Sequence, residues 1–516
     1  MKKTISVIMA ILLVLSIGVI GAFAEEPVSE LSAAVYVTIA DQDGITRLAA
    51  QTVVVSDTDS DGALTVNDAL YCAHEQFYEG GAAAGYATES TQYGLSLKKL
   101  WGSANGGSYG YYVNNASAWS LTDPLKDGDY LAAFCYTDLV GWSDHYSYFD
   151  QFHGAFNPGE TITLTYSEAG YDEKWNPVTL PVAGAEITVD GEATGITTDA
   201  EGKCTLVMND LNNLFIDYGP HLISATVAGK TLVKPVFVAD IVKPETIFVT
   251  IADQEGKTVL AAESILVTDA DHDGVLTVND ALYCAHEMFY EGGAAAGYAT
   301  KSTQYGLSLD KLWGSANGGS YGYYVNNASA WSLTDPIKGG DYLAAFCYTD
   351  LVGWSDHYSF FDKRSGNLTA TEEFTLTYSE AGYDELWNPV TLPVAGAEIT
   401  VDGEATGITT DAGGKATVSI SEPGKHIVSA TVDGKRLVAP VFIAYIRSTD
   451  TYKKGDADMD GNITILDATR IQRFIAELIG EDEIDLFSAD ADGDGEVTIL
   501  DATHIQRFIA ELIKEL

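Results

Sequence analysis

The chain has 516 residues, 46% of them apolar, with 28 basic against 74 acidic side chains and a formal charge of −46. This length asks for several folded domains. So acidic a surface argues against nucleic acid as a partner and favours cations.

The N-terminal run MKKTISVIMAILLVLSIGVIGAFA reads as a secretory signal over 1–24, with small residues at Ala22 and Ala24 before Glu25. A membrane anchor is the alternative. The expectation is a secreted mature chain without a membrane span, because no later run is long and apolar enough. The chain ends in IKEL with no wall-anchoring tail, so attachment to a cell is expected to be indirect.

A first module is expected over 33–156. It opens with a strand, VYVTIADQDG, and continues into an acidic loop, DTDSDGALTVND. Asp57, Asp59 and Asp61 stand at loop positions 1, 3 and 5, Gly62 at 6 and Asp68 at 12. That spacing wraps carboxylate oxygens around one centre, as Ca²⁺ requires, although a plain acidic turn has the same composition. The run TVNDALYCAHEQFY follows with Val66, Leu70, Ala73 and Phe77 on one helical stripe. Strands SYGYYVNN and DYLAAFCYTD close the module.

Aromatic side chains crowd this stretch. Sugars stack on exposed rings, so Trp142 and Tyr146 are carbohydrate candidates, against the alternative of core and turn packing. Trp119 is expected in the core, between the YYVNN turn and the next strand. Thr65 to Leu70, Tyr111 to Asn115 and Asp127 to Tyr130 resemble the small β-grasp-like α+β domain at the C-terminal end of transcobalamin and intrinsic factor. The resemblance implies the fold and leaves the ligand open, corrinoid or other.

Residues 157–243 alternate short strands with Asp-Gly and Glu-Gly turns, as in ETITLTYS, AGAEITVDG, GITTDAEGKCTLVM, HLISATV and KPVFVADI. This all-β sandwich resembles bacterial Ig-like surface modules.

The chain then repeats itself. Residues 64–150 and 276–362 align without a gap at an offset of 212, and six positions differ. A second α+β module is expected over 245–368 and a second sandwich over 369–446. The second loop carries Asp269, Asp271, Asp273 and Asp280, and Trp354, Tyr358 and Trp331 are the twins of Trp142, Tyr146 and Trp119. Cys72 and Cys135 recur as Cys284 and Cys347, beside an odd Cys204. Each pair is either a disulfide or two small buried residues.

Residues 450–516 contain the sharpest motif. GDADMDGNITILD places Asp456, Asp458 and Asp460 at positions 1, 3 and 5, Gly461 at 6, Asn462 at 7, Thr464 at 9 and Asp467 at 12. Thirty-four residues later Asp490, Asp492, Asp494, Glu496, Thr498 and Asp501 repeat the pattern. Both loops run into one amphipathic helix. This doubled EF-hand-like loop and helix resembles a type I dockerin, the all-α module that plugs secreted proteins into the cohesins of a scaffoldin. The resemblance implies that Ile465, Leu466, Gln472 and Arg473, and in the twin Ile499, Leu500, Gln506 and Arg507, contact cohesin. Near two-fold symmetry would give two equivalent faces.

There is no zinc motif or phosphate loop. The reading is therefore a multidomain, non-catalytic, secreted component of a cellulosome-like complex, with Ca²⁺ as cofactor and a cohesin as partner. Its duplicated modules are expected to bind polysaccharide or cell-surface glycan. A divergent glycoside hydrolase delivered by the dockerin, and a protein-binding adhesin or spacer, are the alternatives.

Overall fold

The computed structural model describes residues 31–104, 108–141, 143–174, 176–208, 217–316, 320–353, 355–386, 388–447, 453–476, 479–480 and 484–516. The signal segment 1–24, Trp142 and Trp354 lie outside the described residues. The chain divides into two compact units, one of 1–152, 164–204 and 222–237, the other of 153–163, 205–221 and 238–516.

In the first unit the run YLAAFC, apolar throughout, becomes the fully buried strand Tyr130–Cys135, as a strand covered on both faces must. It lies parallel to Ser32–Ala40 and antiparallel to Tyr109–Val113, while Thr46–Ser56 and Ala116–Ser117 form the edges. Helix Val66–Phe77 covers one face. Val66, Ala69, Leu70 and Ala73 pack there on Val35, Val37, Ile39, Val53 and Leu131. The stripe read from the sequence is buried at Val66, Leu70 and Ala73, while Phe77 is exposed. On the other face Tyr130 stacks on Phe152, with centroids 4.6 Å apart, and donates its hydroxyl to Thr38. Two-stranded Ala87–Thr91 and Gly94–Lys99 form a separate hairpin.

The second unit repeats this layout, with Glu245–Ala252 parallel to Tyr342–Cys347 under helix Val278–Phe289. It also carries a complete β-sandwich. One sheet joins Ser359–Phe361, Glu373–Tyr383, Pro389–Pro393 and Lys415–Ser419. The other runs Ser365–Thr369, Phe442–Arg447, Gly424–Thr431, Glu398–Val401 and Glu404–Thr409. Leu376, Tyr378 and Val418 of the first meet Ile399, Val428 and Phe442 of the second in one core. The alternation that buries every second residue of FTLTY, at Phe374, Leu376 and Tyr378, produces that core.

The C-terminal region is helical. Ile465–Ile475 and Ile499–Ile509 bury Ala468, Ile471, Ala502 and Ile505 in a core with Ala457, Ala489 and Ala491. Ile463 and Val497, at position 8 of their loops, pack against it. Strands and sheets thus dominate the chain, followed by a small helical module.

Candidate metal centres and docking helices

Four acidic loops share one backbone geometry. Position 4 is left-handed at Ser60, His272, Met459 and Gly493, with φ of 60°, 61°, 59° and 80°. Position 6 is left-handed in every loop and is always glycine, at φ of 87°, 91°, 86° and 95° for Gly62, Gly274, Gly461 and Gly495. A side chain there would be strained, which is why the motif demands Gly. The position 1 carboxylate turns inward to hold the loop. Asp456 accepts the N–H of Asp460 at 3.0 Å and of Gly461 at 2.9 Å. Asp57 accepts from Asp61 at 3.1 Å and Gly62 at 2.8 Å, and Asp269 from Asp273 and Gly274. Asp490 accepts from Gly493 and Gly495. In each loop the position 5 aspartate accepts the position 7 N–H.

The structure brings together Asp57, Asp59 and Asp61; Asp269, Asp271 and Asp273; Asp456, Asp458 and Asp460; and Asp490, Asp492 and Asp501, each set with carboxylate oxygens within 4.8 Å. Crowded carboxylates of this kind raise each other's proton affinity. The Asp59 carboxyl is raised by burial and by the charges of Asp68 and Asp61. Asp271 is raised by burial and by Asp280, Asp273 and Asp269, and Asp269 by burial and Asp280. A hard divalent cation relieves that repulsion.

The loops differ at position 12. Asp68 is fully buried and takes four protein donors: the N–H and hydroxyl of Thr58 at 2.9 and 2.5 Å, and the N–H and hydroxyl of Thr65 at 3.0 and 2.6 Å. Asp467 takes the N–H of Asp458 at 3.1 Å and of Thr464 at 2.7 Å, and Asp501 is held likewise by Asp492 and Thr498. Thr464 and Thr498 cap their helices, accepting the N–H of Leu466 and Leu500 at 3.1 Å. Asn462 and Glu496, at position 7 of their loops, are exposed.

The loop beginning at Asp269 has a brace that sequence reasoning missed. Asn157 accepts the Asp269 N–H at 2.9 Å and donates its amide to the Asp269 carbonyl at 2.7 Å. Glu160 meets Nε2 of His272 at 3.1 Å. The first copy has Ser60 where His272 stands, and that difference was the available signal.

On the two C-terminal helices Ile465, Leu466, Ile499 and Leu500 are 53%, 60%, 54% and 59% exposed. Gln472, Arg473, Gln506 and Arg507 are also exposed. Twin positions match, and these side chains point away from the core formed by Ala468, Ile471, Ala502 and Ile505.

The aromatic expectations need correction. Tyr146 and Tyr358 are buried, stacked on Tyr112 and Tyr324 at 3.9 and 4.0 Å, with hydroxyls donated to Asn115 and Asn327. A ring without an open face is packing, and neither tyrosine is a sugar platform. Trp119 and Trp331, expected in the core, are 93% and 94% exposed. The strand pair Tyr109–Val113 and Ala116–Ser117 ends just before Trp119, so the ring projects from a sheet edge and does not fold under it. All five cysteines are buried and free.

Residues 454–510 match the family described as Dockerin type I domain. The C-terminal module is therefore a dockerin type I domain; dockerin domains bind calcium and imply a cohesin partner, and the cluster of Asp456, Asp458 and Asp460 is compatible with that ion. Such domains occur in extracellular cell-surface complexes. A comparison with curated proteins finds no match. Among solved structures, the chain is similar to a structure titled for host cell surface retention of a bacterial ice-binding adhesin, at 10% identity and TM-score 0.14, covering 59% of this chain and 98% of that one. The Yersinia pseudotuberculosis adhesin InvE gives 10% identity and TM-score 0.16, with 63% and 66% covered. Invasin, a bacterial integrin-binding protein, gives 15% and 0.14, with 58% and 60% covered. Likeness at that level says nothing further about this chain. No described helix is long and apolar enough to cross a membrane.

Proposed function

We propose that the protein is a secreted, non-catalytic component of a cohesin–dockerin complex, held at the cell surface indirectly through a scaffold. Its duplicated modules would then present a polysaccharide or cell-surface glycan to that complex. The observation that carries this reading is the C-terminal dockerin with two matching exposed apolar faces. Ile465 and Leu466, like Ile499 and Leu500, are large apolar groups left in solvent, which a folded module keeps for a partner.

The upstream regions fit the same reading. A mixed sheet with a central parallel pair under one helix supports the transcobalamin-like assignment of 33–156 and 245–368. Two facing sheets, antiparallel but for the pair Ser365–Thr369 and Phe442–Arg447, support an Ig-like assignment of 369–446, and the repeated strand pattern extends it to 157–243. Calcium at the loops beginning with Asp57 and Asp269 is supported by their backbone identity with the two dockerin loops. In the first of those sites the saturated Asp68 acts mainly as a helix cap, so the cation there would lean on positions 1, 3 and 5.

Two assays test the proposal on the full chain. Retention on an immobilised cohesin with Ca²⁺, lost on adding EDTA, is expected. Retention on a panel of insoluble polysaccharides with the dockerin occupied is expected as well. Failure of the first removes the scaffold role, and failure of the second removes the glycan role.

A further inference from the structure

Trp119 and Trp331 are the feature that the dockerin does not explain. A tryptophan over nine-tenths exposed is rare, because the ring is the largest apolar side chain. Here the same ring stands exposed in both copies, at 93% and 94%. It is also held in place. The Trp119 N–H donates to Oδ2 of Asp123 at 2.7 Å, and Ser120 N–H reaches the same oxygen at 3.2 Å. Ser120 and Thr122 hydroxyls lie 2.8 Å apart beside it. In the second copy Trp331 N–H meets Asp335 at 2.7 Å and Ser332 meets Thr334 at 2.8 Å. An ordered turn therefore carries each ring, with little chain entropy left to lose on binding.

The surroundings select the ligand. The exposed chain neighbours Ala116, Ser117 and Thr122 are small or polar, so within its own turn the indole is the one large exposed apolar group, next in the chain to the paired Ser120 and Thr122 hydroxyls. A protein hot spot sits instead in a well-packed apolar centre, and a membrane anchor needs several apolar groups with basic flanks. The charge of −46 repels anionic chains. A ligand with one apolar C–H face, many hydroxyls and no negative charge satisfies all three conditions. We propose that Trp119 and Trp331 are the stacking platforms through which each repeat holds a neutral polysaccharide. This rests on the glycan reading above and assigns its residues and its charge class.

The test uses the full chain on amorphous cellulose, xylan and starch granules, with polygalacturonate as the anionic control. Trp119→Ala and Trp331→Ala are each expected to weaken retention a few-fold, and the double variant by about tenfold or more, because linked sites share the load. Tyrosine at both positions should keep most of the binding. Thermal midpoints should not move in either alanine variant. A double alanine variant retained like the wild type overturns the assignment while leaving the glycan reading intact. A wild type retained on no neutral polysaccharide overturns both. Retention on polygalacturonate alone overturns the charge argument. A midpoint lowered by Trp119→Ala marks the ring as packing, and self-association lost in the double variant marks it as a protein contact; either result overturns the proposal.

Discussion

Trp101 donates its backbone N–H to Nε2 of His74 at 2.9 Å, while Nδ1 of the same ring lies 2.6 Å from the Leu70 carbonyl. Both contacts are satisfied only by a neutral imidazole protonated on Nδ1. Trp313 and His286 repeat the arrangement at 2.9 Å. His74 is thus a buried structural residue that ties helix Val66–Phe77 to the loop after the hairpin.

Burial lowers the His74 and His286 pKa from 6.5 to about 4. The native state therefore refuses a proton that the unfolded chain accepts below pH 6.5. Stability is full above that pH and falls as pH drops towards 4, by up to about 3 kcal/mol per histidine. Thermal midpoints measured from pH 7.5 to 5 should decline below 6.5. His74→Gln with His286→Gln should start lower and decline less. His426 works in the other direction: burial lowers its pKa, but its bond to Asp402 outweighs that and raises it. Its contribution is present at low pH and lost as pH rises. A midpoint independent of pH across the window would contradict the histidine argument.

Removal of calcium should divide the chain. Hydrogen exchange on the full protein in EDTA is expected to lose protection over Ile465–Ile475 and Ile499–Ile509, because their small core depends on neutralised loop carboxylates. Helix Val66–Phe77 should stay protected, since Asp68 is satisfied by Thr58 and Thr65 and the helix packs on a large core. Asp456→Ala with Asp490→Ala should reproduce the EDTA pattern in saturating Ca²⁺. Unchanged protection over the dockerin helices would refute the dependence.

Much of this was legible because local chemistry and burial agreed. The stripe Val66, Leu70 and Ala73 announces a helix, and the spacing Asp456, Asp458, Asp460 and Gly461 announces the loop. The exposed stance of Trp119 was not legible, since an apolar residue between two strands ordinarily turns inward. Only the end of the strand pair at Ala116–Ser117 sends it out. The brace from Asn157 to Asp269 links residues 112 apart, a distance that no local pattern encodes. The strand Thr46–Ser56 and the hairpin at Ala87–Lys99 escaped because their alternation is broken by alanines and polar pairs.

The cysteines offer a chemical check. Cys135 sits against the Leu100 carbonyl and Cys72 near Ser56, each thiol with its own neighbours. Burial pushes the Cys135 and Cys347 thiols up to about 12 and Cys204 to about 11. Native protein should resist alkylation, because the reactive thiolate is suppressed. All five thiols should label in denaturant without a reductant. Fewer labelled thiols would mean that a disulfide forms.

The twin faces of the dockerin make the sharpest functional prediction. Ile465 and Leu466 occupy the same place on Ile465–Ile475 as Ile499 and Leu500 on Ile499–Ile509, with nearly equal exposure. A cohesin able to use one face can use the other by a half-turn of the module. Ile465→Asp with Leu466→Asp should therefore leave binding within about twofold of the wild type, the statistical cost of losing one of two equivalent modes. Adding Ile499→Asp and Leu500→Asp should abolish binding, since a charge buried in an apolar contact has no partner. Circular dichroism should stay unchanged throughout, because all four side chains lie in solvent in the free protein. Isothermal titration of each variant against one cohesin decides the matter. If the first pair of changes alone removed binding, the second face would be idle and the duplication would serve the fold of the module alone.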